Sequence, residues 1–146
     1  MPSTSPDDAK ALEDLLALWP ENQLAVRDHL LALKAAAEAL PGAVWSFLPR
    51  PGVSYSLRFT LDPAPVGRTR PVFFLVDTVP LAEDEFLLSV CFYEDEITDP
   101  EERGNAIPQG LFNETGYCFD MDEEDEDLLG YCLERLKEAH GRARGE

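Results

Sequence analysis

From residue 53 to residue 61 every second side chain is apolar. Val53, Tyr55, Leu57, Phe59 and Leu61 alternate with Ser54, Ser56, Arg58 and Thr60. Nine residues of unbroken two-residue period fit a strand with one face buried and the other in water. The chain is thereby committed to a sheet that something must cover on one side.

The cover is legible upstream, where the period is that of a helix. Ser5 suits an N-cap, with Pro6 at the first helical position and Asp7 and Asp8 in the first turn. Leu12, Leu15, Leu16 and Trp19 then form one apolar stripe, and Pro20 closes it. A second stripe, Val26, Leu30, Leu33, Ala37 and Leu40, predicts a second helix to about residue 40, stopped by Pro41 and Gly42. Two helices so closely joined read as an αα-hairpin or one kinked helix.

After Gly42 come further strand-like runs at 44–48, 72–79 and 86–93. The second of these is apolar on both faces except for Asp77, as a central strand would be. Residues 94–116 break the pattern. Asp99, Pro100 and Gly104 have the spacing of a single helical turn, and 105–116 reads as an irregular segment of the kind that often carries function. Tyr117, Cys118 and Phe119 suggest a short edge strand. A last helix is expected from about 122 to 140, with Leu129, Cys132, Leu136 and Ala139 buried and Gly141 ending it. The expectation is one α+β domain over 1–146, frayed at 1–5 and 142–146. It is a two-layer sandwich with an N-terminal αα-hairpin, an antiparallel four- to five-stranded meander sheet and a C-terminal helix.

Charge divides the chain in two. Residues 1–80 hold 9 acids against 7 bases, whereas residues 81–146 hold 20 against 5, which together make the net charge of −17. Such a field repels nucleic acid and anionic membrane and attracts cations or basic protein surfaces. Hydrophobic residues at 45% exclude a disordered chain despite that charge. No stretch approaches the roughly 20 apolar residues of a membrane span, and the start lacks the features of a signal peptide, so a soluble cytoplasmic protein is expected. Cys91, Cys118 and Cys132 are odd in number and include no C-x-x-C, which in a reducing compartment reads as three buried thiols.

The densest candidate site is Asp120, Asp122, Glu123, Glu124, Asp125, Glu126 and Asp127. Against a calcium-binding EF-hand loop it fails, because Asp125 replaces the required glycine and Tyr131 stands where the bidentate Glu belongs. The carboxylates are expected at the first turn of the last helix, where its dipole needs one or two of them. The surplus is either a solvated face or a surface for a basic partner. Arg50, Arg58, Arg68 and Arg70 form the opposite feature, faced within 49–71 by Asp62 alone. They either pair with the chain's own acids or present a basic edge to an anion.

Of the two histidines, His29 is expected half-buried at a stripe margin and His140 as a cation in the final turn of the last helix. No nucleophile elbow, P-loop, dinucleotide fingerprint or zinc signature is present, so neither a cofactor nor a metal is expected. The reading is a small acidic binding module, monomeric or homodimeric, that engages a basic or amphipathic protein surface without turnover. The alternative is a small-molecule or divalent-metal pocket beside 95–116, with Arg103, Asn105 and Gln109 as its polar lining.

Overall fold

The computed structural model describes residues 5–145; most of the expected N-terminal fraying and residue 146 lie outside them. Helix α1, Pro6–Ala17, begins as the sequence predicts, with the Ser5 hydroxyl accepting from the Asp8 N–H at 3.1 Å. A 3-10 turn, Glu21–Gln23, leads into α2, Leu24–Glu38. Four strands follow as a meander: β1 Ala43–Arg50, β2 Ser54–Leu61, β3 Phe74–Ala82 and β4 Glu85–Tyr93. Then come β5 Asn105–Leu111, β6 Glu114–Met121 and helix α3 Glu126–Ala143. The class is α+β, and the antiparallel sheet has six strands rather than four or five.

Their order is β1-β2-β3-β4-β6-β5, so the meander breaks after β4. The segment read as irregular is β5 and the start of β6. Its periodicity is hidden by Pro108, Gln109 and Gly110, which sit where the register shifts between Ile107 and Leu111. Tyr117, Cys118 and Phe119 are not at an edge, since β6 lies between β4 and β5. No helical turn forms at 99–104. The Asp99 side chain takes the Arg103 and Gly104 amides, which holds a tight turn instead.

Register assigns each strand residue to a face. Phe47, Leu57, Val76, Val90 and Phe119 form one row across the buried face, which the three helices cover. Phe59, Phe74, Phe92 and Phe119 pack in succession along it with ring centroids 5.5, 5.5 and 6.1 Å apart, the last pair edge to face. Fully burying such a side chain contributes roughly 1.5–3 kcal/mol. The buried Gln23 ties helix to sheet: its Nε2 donates to the Phe86 and Asp122 carbonyls at 3.0 Å each, and its Oε1 accepts from the Phe86 N–H.

The other face has no helix over it. Ser46, Arg58, Leu75, Cys91, Cys118 and Asn105 cross it in one row, and Leu48, Ser56, Asp77, Ser89 and Asp120 in the next. Toward one end a second apolar cluster, Val72, Leu75, Cys91, Tyr93 and Leu111, forms beneath the β5–β6 turn. Cys91 and Cys118 lie directly opposite and are joined as a disulfide, with Cα atoms 4.3 Å apart. This corrects the expectation of three thiols; only Cys132 is free and buried. The final helix also runs past Gly141 to the buried Ala143, so 142 and 143 are not frayed.

Candidate functional site

The four arginines divide by position. Arg68 and Arg70 lie in the loop before β3, where the 3-10 turn Glu94–Glu96 arrives from β4. Arg68 grips the buried Glu96 through both outer nitrogens, at 2.6 and 3.2 Å, and donates to the Val72 carbonyl at 2.8 Å. Arg70 forks onto Asp95 at 2.8 and 3.0 Å and onto Glu114 at 2.6 and 3.1 Å, with its guanidinium 4.2 Å from the Tyr93 ring centre. Hydrogen bonding to Arg70 holds the Asp95 carboxyl below its usual range.

Arg58 and Arg50 are different. Arg58 projects from the middle of β2 on the uncovered face, where register gives it Ser46 and Leu75 as neighbours. Its Nε donates to the Ser56 hydroxyl at 3.1 Å, and its guanidinium stands 5.3 Å from the Phe112 ring centre. Among the described residues neither Arg58 nor Arg50 has a carboxylate within ion-pair distance. Asp77, in the adjacent row, has its pKa raised mainly by burial; the Ser56 hydroxyl and the fields of Arg58 and Arg50 oppose that rise. A cavity of about 220 Å³ opens beside Arg58, lined also by Ser46, Thr60, Pro71, Val72 and Phe112.

Phe112 reaches this place through an uncommon turn. Phe112 and Asn113 have φ of 50° and 66° and join Leu111 to Glu114, which pair across the hairpin. Both central residues are thus left-handed, a conformation suited to Asn and Gly and unfavourable for a bulky aromatic.

The acidic residues are not one helical turn. Asp120 is on the uncovered face of β6, Asp122, Glu123 and Glu124 form the connection, and Asp125 is the N-cap of α3, accepting from the Leu128 N–H at 3.0 Å. Only Glu126 and Asp127 occupy the first turn. His29 is fully buried rather than half-buried, and its Nε2 accepts the Asp125 N–H at 3.0 Å. Because Gln23 holds Phe86 beside Asp122, the exposed Glu83, Asp84 and Glu85 of the β3–β4 turn share this end of the sheet. Among the described residues Asp127 pairs with Arg103 at 3.6 Å, and His29 Nδ1 lies 3.5 Å from the Glu126 carboxylate. His140 reaches the Pro41 carbonyl at 2.8 Å, not the end of its own helix.

Arg103, Asn105 and Gln109 do not converge. Arg103 packs over Tyr131 beside Glu101 and Asp127. Asn105 pairs with Cys118 on the edge strand, and Gln109 lines a separate cavity of about 340 Å³ with Arg70, Asp95 and Glu114. Asn105 and Arg58 share a face but stand four strand spacings apart, roughly 19 Å.

Sequence reasoning made Asp99 the cap of a single helical turn and missed that it organises this loop. Its carboxylate accepts from Tyr117 Oη at 2.6 Å, Tyr131 Oη at 2.5 Å and the Arg103 and Gly104 amides at 2.9 and 3.0 Å. Burial pushes its pKa up, but these four donors outweigh burial and hold it well below the carboxylate range. The same bond pushes the Tyr117 hydroxyl up to about 12. A Cβ on Gly104 would sit 2.5 Å from the Tyr117 ring, so only glycine fits that turn. With every lone pair engaged, Asp99 is an anchor and not a base. Burial likewise pushes the Cys132 thiol up to about 12, which keeps it protonated and unsuited to nucleophilic attack.

No protein-family model, curated protein or solved structure matches the chain.

Proposed function

We propose that the chain is a small acidic binding module that engages a basic or amphipathic protein surface and turns nothing over. One observation carries this reading: carboxylates from the β3–β4 turn, the β6–α3 connection and the start of α3 gather at one end of the sheet, where among the described residues Arg103 pairs with Asp127. Fields of this kind raise association rates and select partners of opposite sign. The alternative, a small-molecule pocket beside 95–116, draws less support: the cavity of about 340 Å³ there is lined by Arg70, Asp95 and Glu114, which pair with one another, and a second of about 200 Å³ has Asp99, already accepting from Tyr117, in its wall. For a divalent ion, no three His, Cys, Asp or Glu side chains converge among the described residues.

The test uses an amphipathic Lys/Leu helical peptide as probe, titrated calorimetrically at rising NaCl. Expected is binding that weakens steeply with salt and falls about tenfold when Glu123, Glu124, Glu126 and Asp127 become amides. Neutralising Asp7, Asp8, Asp14 and Glu38 instead removes the same charge from the helical layer and should change binding far less. Equal losses from the two sets would reduce the effect to net charge and overturn the reading.

A further inference from the structure

The uncovered sheet face holds a second feature, independent of the acidic end and opposite in sign. We propose that Arg58, Ser46, Thr60 and Phe112 form a binding site for a small carboxylate with an apolar flank.

The argument begins with the guanidinium. In a chain carrying 29 acids, Arg58 uses only Nε on the protein, for the Ser56 hydroxyl at 3.1 Å. That bond fixes the plane of the fork while both outer nitrogens make no hydrogen bond or ion pair among the described residues. An oriented fork with two unengaged donors matches the two oxygens of a carboxylate. The hydroxyls of Ser46 and Thr60 line the same cavity and offer further donors.

Charge selects among anions. Among the described residues Arg58 is the only ionisable group lining the cavity; its other walls are Ser46, Thr60, Pro71, Val72 and Phe112. One positive charge balances one carboxylate, whereas a phosphate dianion would leave excess charge in the field of a −17 chain. Volume selects for size: about 220 Å³ is below the range typical of drug-sized ligands. Val72 and the Phe112 ring give the apolar flank a wall. Phe112 is 42% exposed and holds a left-handed backbone to stand there. Such strain persists where the surroundings enforce it and is concentrated at ligand clamps. Here the two-residue hairpin that pairs Leu111 with Glu114 enforces it.

The experiment titrates benzoate, benzamide and acetate separately into the full chain, following the Arg58 Nε–Hε and Phe112 ring resonances by NMR. Benzoate should produce saturating shifts at both residues with a dissociation constant of about a millimolar, as one charge-assisted contact warrants. Benzamide, lacking the charge, should give none, and acetate, lacking the ring, should bind more weakly. Arg58→Gln should abolish the shifts, and Arg58→Lys, which keeps charge but loses the fork, should weaken binding about tenfold. Phe112→Ala tests the flank by a route that leaves Arg58 intact. The proposal is overturned if benzoate shifts do not saturate, persist in Arg58→Gln, or are matched by benzamide. A tripeptide ending in phenylalanine then separates the sources. Tighter binding by its free-acid form than by benzoate assigns the site to a chain terminus, and weaker binding assigns it to a free small acid. Equal binding by the free and amidated forms sinks the carboxylate.

Discussion

Arg68 and Arg58 lie ten positions apart in a chain crowded with acid, yet one is saturated and the other is not. Arg68 sits in a loop that meets the Glu94–Glu96 turn, so its fork closes on Glu96 in a nearly buried pair, the two side chains 11% and 8% exposed. Arg58 sits in mid-strand, where antiparallel register sets Ser46 on one side and Leu75 on the other. Total charge has no part in that difference. Pairing depends on which residues the strand register brings within reach, and an arginine can stay unpaired amid 29 acids when none is its cross-strand neighbour.

The sharpest way to break the comparison is to remove a carboxylate from the saturated side. Glu96→Gln leaves the buried Arg68 charge uncompensated and should cost about 3–5 kcal/mol, read from urea unfolding midpoints. A loss below about 1 kcal/mol would mean that Arg68 is no better satisfied than Arg58. Next in size is Asp99→Asn, which retains shape but cannot accept from four donors; about 2 kcal/mol should be lost by the same measurement. Arg58→Gln should change stability by no more than about 0.5 kcal/mol, since Arg58 has only a hydroxyl and a ring to lose. A larger loss would place Arg58 among the structural arginines and weaken the carboxylate site.

The smallest effect sharpens the contrast through pH. Asp77 has a folded pKa above 3.8, so the native state holds its proton more tightly than the unfolded chain. Its contribution is therefore present below that ordinary value and lost as pH rises through the raised one. Asp99 is the reverse, contributing above 3.8 and losing that contribution as pH falls toward its depressed folded value. Asp77→Asn should accordingly raise the thermal midpoint slightly at neutral pH and leave it unchanged in acid, whereas the Asp99→Asn deficit should shrink in acid. Parallel pH profiles for the two variants would contradict both assignments.

What the sequence made legible was whatever depends on near neighbours. Ser5 capping α1, the stripe of α2 and the alternation of β2 are all signals between residues close in the chain, and the α+β class follows from them. The insertion of β6 between β4 and β5 was not legible, because the Pro108–Gly110 irregularity masks β5 and nothing local says which strand β6 will join. The Cys91–Cys118 bond and the convergence of Tyr117 and Tyr131 on Asp99 were missed for that reason; each joins groups 18 or more positions apart. Gln23 resembled any polar residue between helices. Of the candidate site, Arg58 was reachable as an arginine on the wet face of a strand. Phe112, the residue that makes it a cavity, lay in a stretch read as irregular.

Strand order also has a consequence in time. β5 and β6 are neighbours in sequence and can close on each other as a hairpin within microseconds, while β6 meets β4 only by closing a longer loop. Topology thus divides the sheet into β1–β4 and the β5–β6 hairpin, joined through residues 94–104. Cys91 belongs to the first piece and Cys118 to the second. Trapping these two thiols at intervals during refolding therefore times the arrival of the hairpin, and with it the arrival of Phe112 over Arg58.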